Sequence, residues 1–85
     1  MWSVSVRPQA ARDLDRAPER VRDEALDMLE ALGDDPNAVG AAPMRGRRGL
    51  YRVYLGEGYR MVYHLEPASQ QVAVLRIAHR STVYS

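Results

Sequence analysis

Three runs of alternating polar and apolar residues, "LYRVYL", "YRMVYHLE" and "QVAVLRIAH", fill positions 50 to 79. Only "GEG" and "PASQ" interrupt them. Alternation sends successive side chains to opposite faces of a strand. Connections of three and four residues oblige neighbouring strands to run antiparallel. The sequence therefore predicts a three-stranded meander, and one face of that sheet must be covered. The residues before position 50 can supply that cover.

Those residues have the required patterns. "WSVSVRP" alternates Trp2, Val4 and Val6 with serines and reads as a short half-buried strand stopped by Pro8. Pro8 suits the first turn of a helix, on which Ala10, Ala11, Leu14 and Ala17 share one face. Pro18 ends that helix and opens a second. There Val21, Ala25, Met28, Leu29 and Leu32 form an apolar stripe, with Arg22, Asp23, Asp27 and Glu30 facing outward. Gly33 is placed as its C-terminal cap, before "DDP". Residues 33–49, rich in glycine, proline and arginine, read as a long loop, and such loops tend to be functional or disordered. The order is β-α-α-β-β-β. It implies an α+β fold with a helical hairpin packed on one face of a small, mainly antiparallel sheet. At 85 residues, positions 1–85 make a single domain.

The chain has no cysteine, which removes disulfides and thiolate-ligated metals. It has no apolar run of membrane-spanning length and no charged-then-apolar leader, so a cytoplasmic protein with no membrane partner is expected. Net charge is only +1, but its distribution is uneven. Residues 1–43 hold five arginines and nine acids, a balance of −4; residues 44–85 hold seven arginines and two acids, a balance of +5. All twelve basic residues are arginine, so no side-chain amine is available to lose a proton near neutrality.

Alternation sorts these arginines. Arg52 and Tyr54 share one strand face, Arg60, Val62 and His64 share another, and Arg76, Ala78 and Arg80 a third if the last strand continues that far. Arg45, Arg47 and Arg48 stand in the loop leading into the same sheet. Such a surface suits phosphates and stacked bases; the same pattern also fits an ordinary solvated sheet face. Tyr51, Tyr59 and Tyr63 fit core or core-edge positions. His64 and His79, far apart and without cysteine, do not support a metal site. No glycine-rich nucleotide motif or paired-carboxylate arrangement is present.

"MRGRRGLYRVYLGEGYRMVY" followed by "VLRIAHRSTVY" resembles the RelE branch of the RelE/ParE toxin superfamily, over nearly the whole chain and in the same element order. The resemblance implies the toxic half of a bacterial type II toxin–antitoxin pair. It implies a nuclease that cuts messenger RNA in the ribosomal A site without cofactor or metal, by attack of a 2′-hydroxyl that leaves a 2′,3′-cyclic phosphate. The partners implied are a cognate antitoxin, the ribosome and mRNA. Carried over by motif, the site residues are Arg52, Arg60 of "GYR", His79, Arg80 and Tyr84, with Arg45 as the loop arginine. Arg47, Arg48, Tyr54 and Arg76 are the expected RNA contacts beside it. Where some members have a second lysine this sequence has Tyr54, and the C-terminal helix of some relatives is expected to be missing.

The implied reaction needs a deprotonated 2′-hydroxyl, a stabilised phosphorane and a proton for the departing 5′-oxygen. Arginines meet the second need by charge and bidentate geometry. His79 is expected as general acid or base, and Tyr84 as a stacking or proton-transfer group. Two other readings fit the same chain: a ParE-like gyrase inhibitor without nuclease activity, and a degenerate module that only binds an antitoxin.

Overall fold

The computed structural model describes residues 1–83. In chain order it contains β1 (Ser3–Val6), α1 (Pro8–Arg16), α2 (Glu19–Asp34), β2 (Ala42–Pro43), β3 (Leu50–Tyr54), β4 (Tyr59–Glu66), β5 (Gln71–His79) and α3 (Arg80–Val83). The fold is α+β: α1 and α2 pack on one five-stranded mixed sheet in the order β1-β5-β4-β3-β2. Strands β3, β4 and β5 form the expected antiparallel meander. β1 runs parallel to β5, with Ser3 opposite Gln71 and Val6 opposite Val74. Parallel neighbours cannot share a tight turn, and everything from α1 to β4 lies between these two in sequence.

The long loop is more ordered than its composition suggests. Ala42 and Pro43 pair with Arg52 and Tyr51 as a short outer strand. Proline is tolerated there because an edge strand need not donate on its outer side. Pro36–Ala38 form a 3₁₀ turn capped by Asp35, whose carboxylate accepts from the Asn37 N–H at 3.0 Å. Gly33 does not end α2, which continues to Asp34. Its carbonyl instead accepts from the Trp2 N–H at 3.1 Å and joins α2 to the start of β1.

Arg22, expected to face outward, turns back onto the preceding helix. Its Nε and Nη2 donate to the carbonyls of Leu14 and Ala17 at 3.3 and 3.0 Å. These carbonyls lie at the C-terminal end of α1, where helical acceptors lack helical donors. The bond therefore closes α1 and fixes the angle of the hairpin. Between the layers, Ala10, Ala25 and Leu32 meet Val53, Met61, Tyr63, Leu65, Val72, Val74 and Ile77. Complete burial of a side chain the size of Met61 or Ile77 contributes roughly 1.5–3 kcal/mol. One irregularity breaks the meander: Val62 faces Arg76 but Tyr63 faces Val74, leaving Leu75 as an extra residue in β5.

Candidate functional site

Val53 and Met61 point into the core, so their neighbours Arg52, Tyr54, Arg60 and Val62 point away from the helices. Tyr54 pairs with Arg60, and Arg52 with Val62. The guanidinium carbon of Arg60 stands over the Tyr54 ring, 4.7 Å from its centroid, within cation–π range. Tyr54 is 59% exposed. By contrast Nε of Arg52 and both Nε and Nη1 of Arg60 are buried. Hydrogen bonding to Arg60, and after it the charge of Arg52, hold the Tyr54 phenol below its ordinary value near 10.0. Val62 is only 6% exposed although it faces away from the helices; long arginine stems suit the covering of such a residue.

The turn joining β3 to β4 is latched from the helical layer. Glu24 of α2 accepts a hydrogen bond from the Gly56 N–H at 2.6 Å. Gly58, at the end of this turn, has φ +79°, which glycine adopts without the penalty of a side chain. A Cβ at Gly58 would also stand 2.8 Å from the His79 ring. The turn is thus held between α2 and β5, and it sets Tyr54 against Arg60.

The remaining candidates are distributed unevenly. His79 pairs with Tyr59, in step with Ile77 and Met61, so it lies on the helical side of the sheet. Its ring meets Tyr59 edge-on at 5.4 Å, and its Nδ1 lies 2.9 Å from Ser81 Oγ. It lines a hollow of about 230 Å³ together with Gln9, Asp13, Tyr59 and Thr82. The structure therefore separates His79 from Arg52 and Arg60 by the thickness of the sheet. Arg80 does not extend β5; it is exposed and opens the single turn of α3. Arg45, Arg47 and Arg48 are exposed in the loop before β3. That loop meets the other end of the hairpin, where the Leu65 N–H donates to the Gly49 carbonyl at 2.9 Å. His64 lies at that end too, on the Arg60 face and opposite Leu50. Tyr84 lies outside the described residues.

Arg76 departs from the expected trio with Ala78 and Arg80. Its Nε is 2.8 Å from Asp13 Oδ2 on α1, and the same oxygen accepts from the Ile77 N–H at 2.9 Å. Burial alone would raise the Asp13 carboxyl. Hydrogen bonds from Arg76, the Ile77 N–H and Gln9 outweigh it and hold the group below its ordinary value. Asp13 thus occupies backbone left over where β5 runs past the end of β1.

Asp13 and Glu24 were not singled out from the sequence, yet each left a signal. Asp13 stands three residues after Ala10 and four before Ala17, on the buried face of α1. Glu24 stands three after Val21 and four before Met28, beside the stripe of α2. An acid at an apolar-face position needs a polar partner from another element. Among the described residues no group of three or more histidines and acids is placed to hold a metal ion.

Comparison with known proteins places this geometry among relatives. The ParE toxin of the type II toxin–antitoxin system, parDE, matches residues 4–84 as a family. Toxin RelE of Mycobacterium tuberculosis is 30% identical over 84 residues, covering 98% of this chain and 86% of that protein. Toxin RelG of the same organism is 29% identical over 86 residues, covering 98% and 95%. A chain of the toxin–antitoxin complex RelBE2 from M. tuberculosis superimposes with a TM-score of 0.78 at 28% identity, covering 93% of this chain and 98% of that one.

Proposed function

The chain belongs to the RelE/ParE family of type II toxin–antitoxin toxins, and on that premise we propose that it is a ribosome-dependent, metal-independent endoribonuclease. The single observation carrying this is the cluster of Arg52, Tyr54 and Arg60 on the sheet face that the helices leave open. Two guanidinium groups fixed on a rigid hairpin suit an anionic phosphorane, whose charge develops only as the reaction proceeds. Arg80, following β5, and the loop arginines Arg45, Arg47 and Arg48 extend the positive surface along which a messenger strand lies. Arg76, committed to Asp13, has a structural part instead. The ribosome orients the 2′-hydroxyl in line with the phosphorus; such positioning is worth up to roughly 7–11 kcal/mol. Tyr84 stacks on a base next to the scissile bond, and its loss slows cleavage by about 10- to 100-fold, the equivalent of one lost stacking contact.

A cognate antitoxin is the second partner. Its acidic, amphipathic segment covers the basic face or adds a strand at a sheet edge, and the toxin acts in the cytoplasm once released. The test is primer extension on ribosome-bound message. Wild-type protein gives defined stops, and Arg60→Ala reduces the rate by about 10²–10³-fold without loss of folding, judged by circular dichroism. Equal rates for wild type and Arg60→Ala would show the cluster is not the site. The family's ParE designation favours a second reading, inhibition of gyrase. A parallel supercoiling assay separates the two: loss of supercoiling with no cleavage supports the gyrase inhibitor.

A further inference from the structure

We propose that Tyr54 is the proton donor to the departing 5′-oxygen. This rests on the nuclease reading and names the group that completes it. The reaction needs an acid on the arginine face, and geometry removes the histidine that the sequence offered. His79 lies across the sheet, engaged with Tyr59 and Ser81. His64 shares the Arg60 face but sits four residues further along β4, roughly 13 Å away at the usual strand rise. Arginines hold their protons too tightly to donate them. Among the described residues Tyr54 is the titratable neutral group that lies against the guanidinium of Arg60, and it is exposed enough to meet a substrate.

The chemistry balances with these groups. The 2′-oxygen forms a bond to phosphorus while its proton passes to water. The bond between phosphorus and the 5′-oxygen breaks, and the phenolic proton moves to that oxygen. The electron pair of the phenolic O–H bond remains on Tyr54 as phenolate, stabilised by the charges of Arg52 and Arg60. Water then restores the proton. The products are a 2′,3′-cyclic phosphate and a free 5′-hydroxyl; nothing is oxidised or reduced. A neutral phenol carries the O–H proton that an acid must supply. The neighbouring charges that lower its proton affinity bring it closer to the working pH, where a general acid is most effective. The charged groups around it are Arg52 on its own strand, Arg60 on β4, and Glu24 and Asp27 of α2, which border a hollow beside it. Glu24 is engaged with the Gly56 N–H.

The experiment compares two ribosome-bound messages that share a cleavage site. One has a normal scissile phosphodiester; in the other, sulfur replaces the bridging 5′-oxygen. Sulfur leaves as a thiolate and needs no proton. Tyr54→Phe is expected to cut the oxygen message about 100-fold more slowly than wild type, within the range for a lost general acid, and the sulfur message at close to the wild-type rate. Tyr54→Ala separates the ring from the hydroxyl: it shows the same rescue, on top of any loss from the missing ring. Equal slowing of Tyr54→Phe on both messages overturns the proposal, as does full activity on the oxygen message. In either case a wild type that still cleaves leaves the nuclease reading standing. A wild type that cuts neither message sinks that reading and this inference with it.

Discussion

Among the described residues Tyr63 is the largest fully buried side chain, and its hydroxyl finds no hydrogen-bond partner there. Its ring stacks on Tyr51 at 5.9 Å, so the aromatic part is well accommodated while the oxygen is not. A buried hydroxyl without a partner costs about 1–3 kcal/mol. We therefore predict that Tyr63→Phe raises stability by about 1 kcal/mol, read as a higher urea midpoint at unchanged slope. The same site predicts a pH effect. Burial, and then the neighbouring Tyr51, push the Tyr63 phenol from 10.0 up to about 12. The folded state thus holds this proton more tightly than the unfolded chain. Its contribution is complete below pH 10.0 and is lost as pH rises towards 12. Wild type should lose on the order of 2 kcal/mol across that window, and Tyr63→Phe should lack this part of the decline. A parallel decline in both proteins would count against the assignment. At Tyr54 two arginines push in the opposite direction; one residue type is set in opposite ways by burial in one place and by charge in the other.

Strand β5 shows how one element is held from several sides. Along its first half β1 supplies the outer partner, ending at Val6 opposite Val74. Beyond that point Asp13 of α1 accepts from the Ile77 N–H and from Arg76. The acid thus continues the edge that β1 leaves, directly after the bulge at Leu75. Asp13 is 9% exposed while Arg76 is 39% exposed, so the backbone bond should matter more than the partly screened ion pair. Asp13→Ala leaves the Ile77 N–H without its acceptor and is predicted to cost about 1–3 kcal/mol. The depressed carboxyl fixes the sign of the pH dependence. Its contribution is present above the unfolded value near 3.8 and is lost as pH falls through the lower folded value. Urea titrations at neutral pH and near pH 2 check this: the gap between wild type and Asp13→Ala should narrow in acid. A gap unchanged by pH would mean that the carboxylate's charge contributes nothing.

For the whole molecule the asymmetry of charge follows the layering. The acids concentrate in the half containing α1 and α2, and the arginines in the half containing the meander and its approach loop. The helices cover one side of the sheet and leave Arg52, Tyr54 and Arg60 on the other. Because the chain is a type II toxin, expression without its antitoxin is predicted to arrest growth, and co-expression to restore it. Arg60→Ala should relieve the arrest in the absence of antitoxin. Abundant folded wild-type protein in normally growing cells would contradict this. A purified antitoxin should also stabilise the folded toxin by mass action, by about 2.7 kcal/mol at a free concentration a hundred times its Kd, read as a higher melting temperature.

Local pattern was enough for much of this architecture. Period-two alternation marked β1 and the three strands of the meander, helical spacing marked α1 and α2, and prolines marked their beginnings, because each depends on a residue's nearest neighbours. The motif "GYRMVY" and the resemblance it carries pointed to the toxin family. Alternation put Arg52 with Tyr54 on one strand and Arg60 with Val62 on the next, and the β3–β4 register then joined them on one face. Tertiary structure decided what depends on elements distant in sequence. It set β1 beside β5, turned part of the loop into β2, and gave Arg76 to Asp13 across 63 positions. It also parted His79 from Arg60. Nineteen positions separate these two residues, and whether they share a face depends on a register that includes a bulge, which shifts every side chain beyond it. A sequence reading without that extra residue cannot fix which side of the sheet its last strand presents.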